Sequence, residues 1–388
     1  METQLSNFKL NGFGTVGLTK NSDQDLGYRE MVSQQGIFDE YDWGQNSNLG
    51  IQANYYASEK LDFALQLLAI KRSENSLNKS IQWAYVNYKI SPKLDLRLGR
   101  VGVGSFLMSD YRHVGFARLW THLPTEFYGL RPVNGVDGID LKYKQPLFDG
   151  LFSTNMWYGQ ANYDFYTQDV SEVHLKQLFG ASIGWENDIW NVRFTYNQAQ
   201  TQITNNSIKP LEQALQKASF SGWPLAGDYA DLTIDNKMVR YYAAGVSYDK
   251  NDWLVQSELS VVHTDSKLTS GTMSSYLSVG RKLGSVTPFI SGSWVKSLDD
   301  RLIMPTAPSG SYALLQNVSQ YVFNQFYAGQ HTVSVGARWD VQPKVALKFQ
   351  WDKTWVDEYG SLLLDTPHGA IAEKRQLDVF SASIDFIF

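Results

Sequence analysis

The chain has no cysteine among its 388 residues, which removes disulfides, thiolate metal sites and cysteine nucleophiles. It also lacks any run of about 20 apolar residues, so no transmembrane helix is available. Charged residues make up only 19 %, and the net charge of -5 comes without a dense Lys/Arg stripe, which argues against a nucleic-acid partner. The opening Met1-Glu2-Thr3 lacks the basic and apolar regions of a secretory leader. What the chain does have is aromatics, at 14 %, with 22 Tyr, 20 Phe and 12 Trp. A mean hydropathy of -0.31 would suit a soluble protein, but it also suits a barrel whose apolar exterior is averaged with a polar lumen.

The last stretch organises the rest. Phe380, Ala382, Ile384, Phe386 and Phe388 alternate with Ser381, Ser383 and Asp385, and a strict period of two argues a strand with one oily and one wet face. This amphipathic strand, ending on a terminal aromatic, resembles the closing strand of Gram-negative outer-membrane β-barrels, where such an ending acts as an assembly signal. The resemblance implies export, so the chain is expected to be a mature form whose leader was replaced by an initiator Met.

Alternation recurs upstream. It predicts strands at about 8–19, 49–57, 61–71, 81–90, 94–101, 136–144, 151–161, 178–186, 190–200, 239–248, 253–264, 272–283, 286–296, 331–341 and 345–355 before the closing one. Tight turns and longer connections alternate between them, seven of the first and eight of the second, as in barrels with short periplasmic turns and long extracellular loops. Each segment is near the roughly 9–11 residues that a tilted membrane strand needs. About 16 strands, an even number, bring the first and last together and leave no unpaired edge in lipid. The expected fold is therefore all-β: one transmembrane antiparallel up-and-down β-barrel over residues 1–388. Trp185, Trp190, Trp253, Trp339, Tyr143, Tyr248 and Phe388 lie close to the tight turns and read as an interfacial aromatic girdle. A soluble β-sandwich uses fewer strands than this.

Three connections stand out. The stretch 105–135 is long, irregular and rich in aromatic and charged residues, the signature of a functional loop. The loop from about 203 to 237 contains Pro210–Ala218, a short helix with Pro in its first turn. The loop from about 298 to 329 contains the apolar segment 312–327, which could fold inward and narrow the interior.

Strand count, the I-D-F-I-F ending at Ile384–Phe388, the L-R-L-G-R stretch at Leu96–Arg100 and the long insertion after the fifth strand together resemble the 16-stranded porins of Gram-negative bacteria. The resemblance implies that residues 105–135 fold into the barrel as a constriction loop. It further implies a homotrimer in contact with outer-membrane lipid and lipopolysaccharide, and passive diffusion of small hydrophilic solutes or ions.

With apolar residues outward, the candidate lumen and constriction residues are Arg97, Asp110, Arg112, Arg118, Glu126, Arg131, Asp140, Lys142, Arg193, Glu258, Arg338 and Lys348. Opposed charges lining a pore set up a transverse field, and a local excess of one sign tunes selectivity. Convergence of the arginines would favour anions, because a guanidinium stays charged and matches carboxylate. The alternative is that Asp110, Asp140, Glu126 and Glu258 neutralise them as wall-bracing pairs. Arg100 breaks the parity of its strand, and a bulge or a subunit interface is expected there.

No enzyme is expected. Ser275 and His263 are the one pair with outward parity that a lipid hydrolase could use. His113 and His122 lack a third ligand at metal-site spacing, so no metal and no cofactor are expected. The acidic residues Asp23, Asp25, Asp39, Glu40 and Asp42 of the first loop read as a solvated charged surface. Two further readings stay open: a substrate-selective channel for small anionic nutrients, and a non-conducting receptor or adhesion barrel.

Overall fold

The computed structural model describes residues 7–131, 133, 135–167, 169–204, 209–232, 234–266, 268–367 and 371–388, so the first three residues, on which the leader expectation rests, lie outside the described residues. Sixteen long strands carry the fold. They are β1 (Phe8–Asn21), β2 (Asn48–Tyr56), β3 (Leu61–Ile70), β4 (Ile81–Ser91), β5 (Leu94–Gly102) and β6 (Gly135–Leu147). Next come β7 (Gly150–Thr167), β8 (Asp169–Glu186), β9 (Trp190–Thr204), β10 (Lys237–Lys250) and β11 (Trp253–Thr264). The last five are β12 (Thr272–Arg281), β13 (Val286–Ser297), β14 (Ala328–Gln342), β15 (Val345–Ser361) and β16 (Arg375–Ile387). Each pairs antiparallel with its sequence neighbours, and β16 returns to β1 in the register Phe13↔Ile387 to Asn21↔Val379, closing the barrel. A two-residue strand, Tyr41–Asp42, also joins β1.

The period of two in the sequence becomes the two faces of the wall. Leu49, Ile51, Leu65, Leu67, Phe194, Ile290, Phe349 and Ile384 are exposed on the outside, whereas Ser274, Ser278, Ser291, Thr332, Ser381 and Ser383 are buried on the inside. With no water in hydrocarbon, a closed ladder is the arrangement that satisfies every strand amide. At the seam, Phe388 and Gly12 exchange two backbone hydrogen bonds of 2.9 Å each. The Phe388 and Phe386 rings lie over Gly12 and Gly14, where a Cβ would collide with them.

Turn chemistry fixes registers locally. Between β10 and β11, Asn251 and Asp252 have φ of 53° and 66°, the doubly left-handed conformation that matches strand twist and that Asn and Asp tolerate. Around the turn end, the Trp190 and Tyr248 rings sit 4.7 Å apart, and the Arg281 guanidinium lies 4.9 Å from the Trp253 ring.

Two expectations change. The connection between β7 and β8 is not a loop: β7 runs to Thr167 and β8 starts at Asp169, a hairpin that extends both strands beyond the expected 161 and 178. Sequence alternation lapses there because Gln177, at φ 47°, sits where the register of both ladders shifts. The extra residue lets Leu175 and Leu178, three apart, both line the interior. The bulge expected at Arg100 is absent: the ladder runs unbroken through Gly99, Arg100 keeps the outward parity of Leu98, and its guanidinium is satisfied by both oxygens of Asp137 at 2.6 and 2.9 Å and by the Asn78 carbonyl at 2.8 Å.

The long connections close over one end. In the loop after β9, helix α1 (Lys209–Phe220) forms where the sequence predicted it. In the loop after β13, the apolar segment becomes helix α2 (Ala313–Asn324). They pack on a shared cluster of Leu211, Leu215, Trp223, Leu232, Ile234, Met304 and Phe323. The Trp223 and Tyr312 rings stand 5.8 Å apart, and the Tyr312 hydroxyl donates to the Ser221 carbonyl at 2.5 Å.

Candidate functional site

The loop between β5 and β6 folds into the barrel, and its described residues run from Val103 to Arg131 with Val133, while Pro132 and Asn134 lie outside the described residues. Its apolar side chains Phe106, Leu107, Met108, Trp120, Leu123, Phe127 and Tyr128 form a cluster with Tyr276 and Phe289 of the wall. An aromatic cluster of this kind supplies the burial that a loop without regular structure otherwise lacks.

Its polar contacts trace a path across the interior. Thr195 of β9 donates to the Gly104 carbonyl at 3.2 Å, and Arg193 donates to the Phe106 carbonyl at 2.7 Å. On β11, Glu258 accepts from the Leu107 amide at 2.9 Å and from the Tyr276 hydroxyl at 2.8 Å, with the Tyr128 hydroxyl as a third donor. Farther across, the Trp120 indole donates to Ser278 at 2.9 Å and the Thr121 amide to Gln350 at 3.0 Å. His122 Nε2 lies 2.9 Å from Asp352. Arg338 holds the carbonyls of Phe116 and Arg118 at 2.5 and 3.0 Å. Lys348, fully buried, donates to the carbonyls of Gly115 and Trp120 at 2.6 and 3.0 Å and pairs with Asp385 at 3.1 Å. Glu126 is also buried, and it accepts from Ser293, Gln330 and Thr332 at 2.6, 2.8 and 2.5 Å.

The loop arginines are largely consumed inside this scaffold. Arg112 donates to the Arg131 carbonyl at 2.7 Å, and Arg118 to the Thr121 carbonyl at 2.8 Å, with Glu30 at 3.5 Å. Arg97 pairs with Asp140 at 2.7 Å across neighbouring strands and donates to the Gly102 carbonyl at 3.0 Å. Sequence reasoning did not single out Arg29 of the first loop. It donates to the carbonyls of Leu362, Leu363 and Leu364 at 2.9, 3.0 and 3.2 Å and to that of Tyr166 at 2.6 Å, stitching three loops together. No local signal marks such a residue, since all its partners are backbone carbonyls and four of them lie more than 130 positions away.

The interior wall is thus divided. Along β11 to β16 the inward side chains are covered by the loop, with Glu258, Ser278, Lys348, Gln350, Asp352 and Asp385 all buried. Opposite, Gln52, Asn54, Asp62, Asn87, Asp95, Lys142 and Arg193 stay partly open. On the loop, Asp110 and Tyr111 are exposed. The open part of the interior wall therefore lies on β2 to β6, with Arg193 of β9, rather than beside the buried Arg112 and Arg118.

Other candidates stay apart. Ser275 pairs with Leu259 and donates to the Glu258 carbonyl at 2.9 Å, while His263 pairs with Arg240 farther along, so no Ser–His contact links them. In the first loop Asp23 and Asp25 hold Arg375 at 3.2 and 3.1 Å, Asp39 holds Lys20 at 2.6 Å, and Asp42 holds Lys71 at 2.8 Å. The acidic residues are therefore loop anchors. The Asp42 carboxyl also accepts from the Gly44 and Gln45 amides at 2.8 and 2.5 Å; burial alone would raise its pKa, but Lys71 and the two amides hold it below the usual carboxylate value. Among the described residues no group of His, Asp and Glu has metal-binding geometry.

No protein-family model and no curated protein matches the chain. Solved structures do match over nearly its whole length. OmpF of Salmonella typhi, solved in complex with daunomycin, superposes with a TM-score of 0.56 at 12 % identity, covering 98 % of both chains. The anion-selective porin of Comamonas acidovorans gives 0.56 at 12 %, covering 98 % of this chain and 99 % of its own. OprB of Pseudomonas putida gives 0.51 at 9 %, covering 98 % and 94 %. The fold is that of the outer-membrane porins.

Proposed function

We propose that this porin-type barrel sits in the bacterial outer membrane and conducts small hydrophilic solutes and ions passively, as a homotrimer embedded in lipid and lipopolysaccharide. The observation that supports this most directly is the divided interior: one wall is sealed by the inserted loop and the other keeps polar and charged side chains open. Such a loop sets a size limit, and the charges left facing the passage set its ion preference. Those charges are Lys142, Arg193 and, nearer the turn end, Lys9, Lys89 and Lys144, facing Asp62, Asp95, Asp110 and Glu186. The balance supports a modest preference for anions, carried by the wall lysines and Arg193 rather than by Arg112 and Arg118. Single-channel recording in a planar bilayer with a salt gradient tests both parts. The expected result is a conducting channel with a weakly anion-selective reversal potential that moves toward cations in Lys142→Glu. A barrel that inserts and never conducts would instead be a receptor.

The lid of α1 and α2 favours a second reading within transport, a channel selective for its solute, because it screens the loop end where a general diffusion pore is open.

A further inference from the structure

Beside the inserted loop lies a space whose lining differs from the polar wall of β2 to β6. It is a cavity of about 260 Å³ against β7 to β12. Its wall is mostly apolar: Val136, Phe165, Val173, Leu175 and Leu178 come from the barrel, with Val103, Phe326 and Leu362 from the loops. An apolar interior is unexpected for a hydrophilic diffusion channel, whose inward side chains interact with water. It exists here because the bulge at Gln177 turns both Leu175 and Leu178 inward.

Among the described lining residues one is charged, Arg131, and it is about nine-tenths buried. Its Nη2 donates to Ser274 at 3.2 Å and to Ser260, and its guanidinium lies 4.8 and 5.0 Å from the Phe127 and Tyr241 rings. Nε and Nη1 are buried and have no hydrogen-bond partner, and no carboxylate pairs with Arg131 among the described residues. The hydroxyl of Thr201 on the same lining is likewise unpartnered. A buried cation without a counter-charge is unfavourable by several kcal/mol. The unused N–H donors are shut off from water in this structure, so an anion takes them up when the side chain turns toward the cavity, and the surrounding surface is a place for an apolar body.

We propose that this cavity binds a small amphipathic monocarboxylate, with the carboxylate on the Arg131 guanidinium and an aryl or branched alkyl body against Val173, Leu175, Leu178 and Phe326. The proposal rests on the channel reading and supplies its substrate class. The size agrees: a dry cavity of about 150 Å³ holds benzene, so the space here admits one ring with a substituent. Selectivity would come from the combination, since acetate fills only the charged corner and benzyl alcohol leaves the guanidinium unpaired.

The test is equilibrium binding of benzoate, benzyl alcohol and acetate to the full-length purified protein, alongside KCl conductance in bilayers. Benzoate is expected to bind about tenfold tighter than either other probe, the value of one charge-assisted contact. Arg131→Gln should erase the advantage over benzyl alcohol, and Ala199→Phe, which fills the lining without touching Arg131, should abolish binding of both ring-bearing probes. Heat-modifiable gel mobility checks that each variant is folded. Equal affinity for benzoate and acetate, or none for benzoate in a protein that conducts KCl, overturns the proposal and leaves the channel reading standing. Benzoate binding that depends on Arg131 in a protein that does not conduct supports the site while the channel reading falls.

Discussion

At the scale of single residues, the charged interior is built from groups that hold backbone. Lys348 illustrates it: fully buried, it satisfies two loop carbonyls and neutralises Asp385, which also accepts from Thr15 at 2.6 Å. Removing one member of a buried pair leaves the other uncompensated, so Lys348→Met should lower stability by about 3–5 kcal/mol. Adding Asp385→Asn should recover part of that loss, and the two denaturation midpoints compared with both single variants measure the coupling. Asp42 gives a pH signature of opposite location, outside the membrane. Its carboxyl is held below an unfolded value of about 3.9, so its contribution is complete above that pH and disappears as pH falls through the lower folded value. The first loop should therefore stay anchored at neutral pH and loosen only below about pH 4. Hydrogen-exchange protection of the Gly44 and Gln45 amides, relative to the intrinsic rate at each pH, reads this directly, and Asp42→Asn should make that protection independent of pH.

At the scale of elements, the inserted loop supplies most of the contacts across the interior, and Trp120 is its largest buried side chain. Trp120→Ala removes a fully buried ring and the bond to Ser278, for about 3–5 kcal/mol of docking energy. The expected outcome is a larger and noisier single-channel current; an unchanged current would mean that the loop is not the narrow point. This is also where sequence and structure part. Strands such as β13, with its unbroken alternation of exposed and buried residues, were legible to within a residue or two, because parity is a local property. The inserted loop was legible as a distinct segment by its length and aromatic content, and its inward folding by resemblance. Its contacts were not legible, since Arg112, Arg118 and Arg338 bond to carbonyls that only the folded loop brings near. The β7–β8 hairpin was missed for a different reason: one bulge at Gln177 shifts parity, so a correct periodic signal reads as irregular chain. That same lapse hid the apolar lining, which required Leu175 and Leu178 to share a face.

At the scale of the whole molecule, closure depends on one seam. The Gly12–Phe388 exchange ends the β1–β16 ladder, and each backbone hydrogen bond contributes about 0.5–1.5 kcal/mol net. Removal of Phe388 should therefore lower the urea midpoint in lipid vesicles by an amount equivalent to about 1–3 kcal/mol, and reduce the yield of folded barrel. The inserted loop bears on the same global property. It leaves the wall at β5, returns at β6, and on the way is fastened to β9, β11, β12, β13, β14 and β15. A hollow cylinder of sheet is soft against flattening, because bending between strands breaks no ladder. A member tied to opposite sides acts as a strut, so lateral pressure from the bilayer is borne by the Lys348, Arg338 and Trp120 attachments and the cross-section stays round.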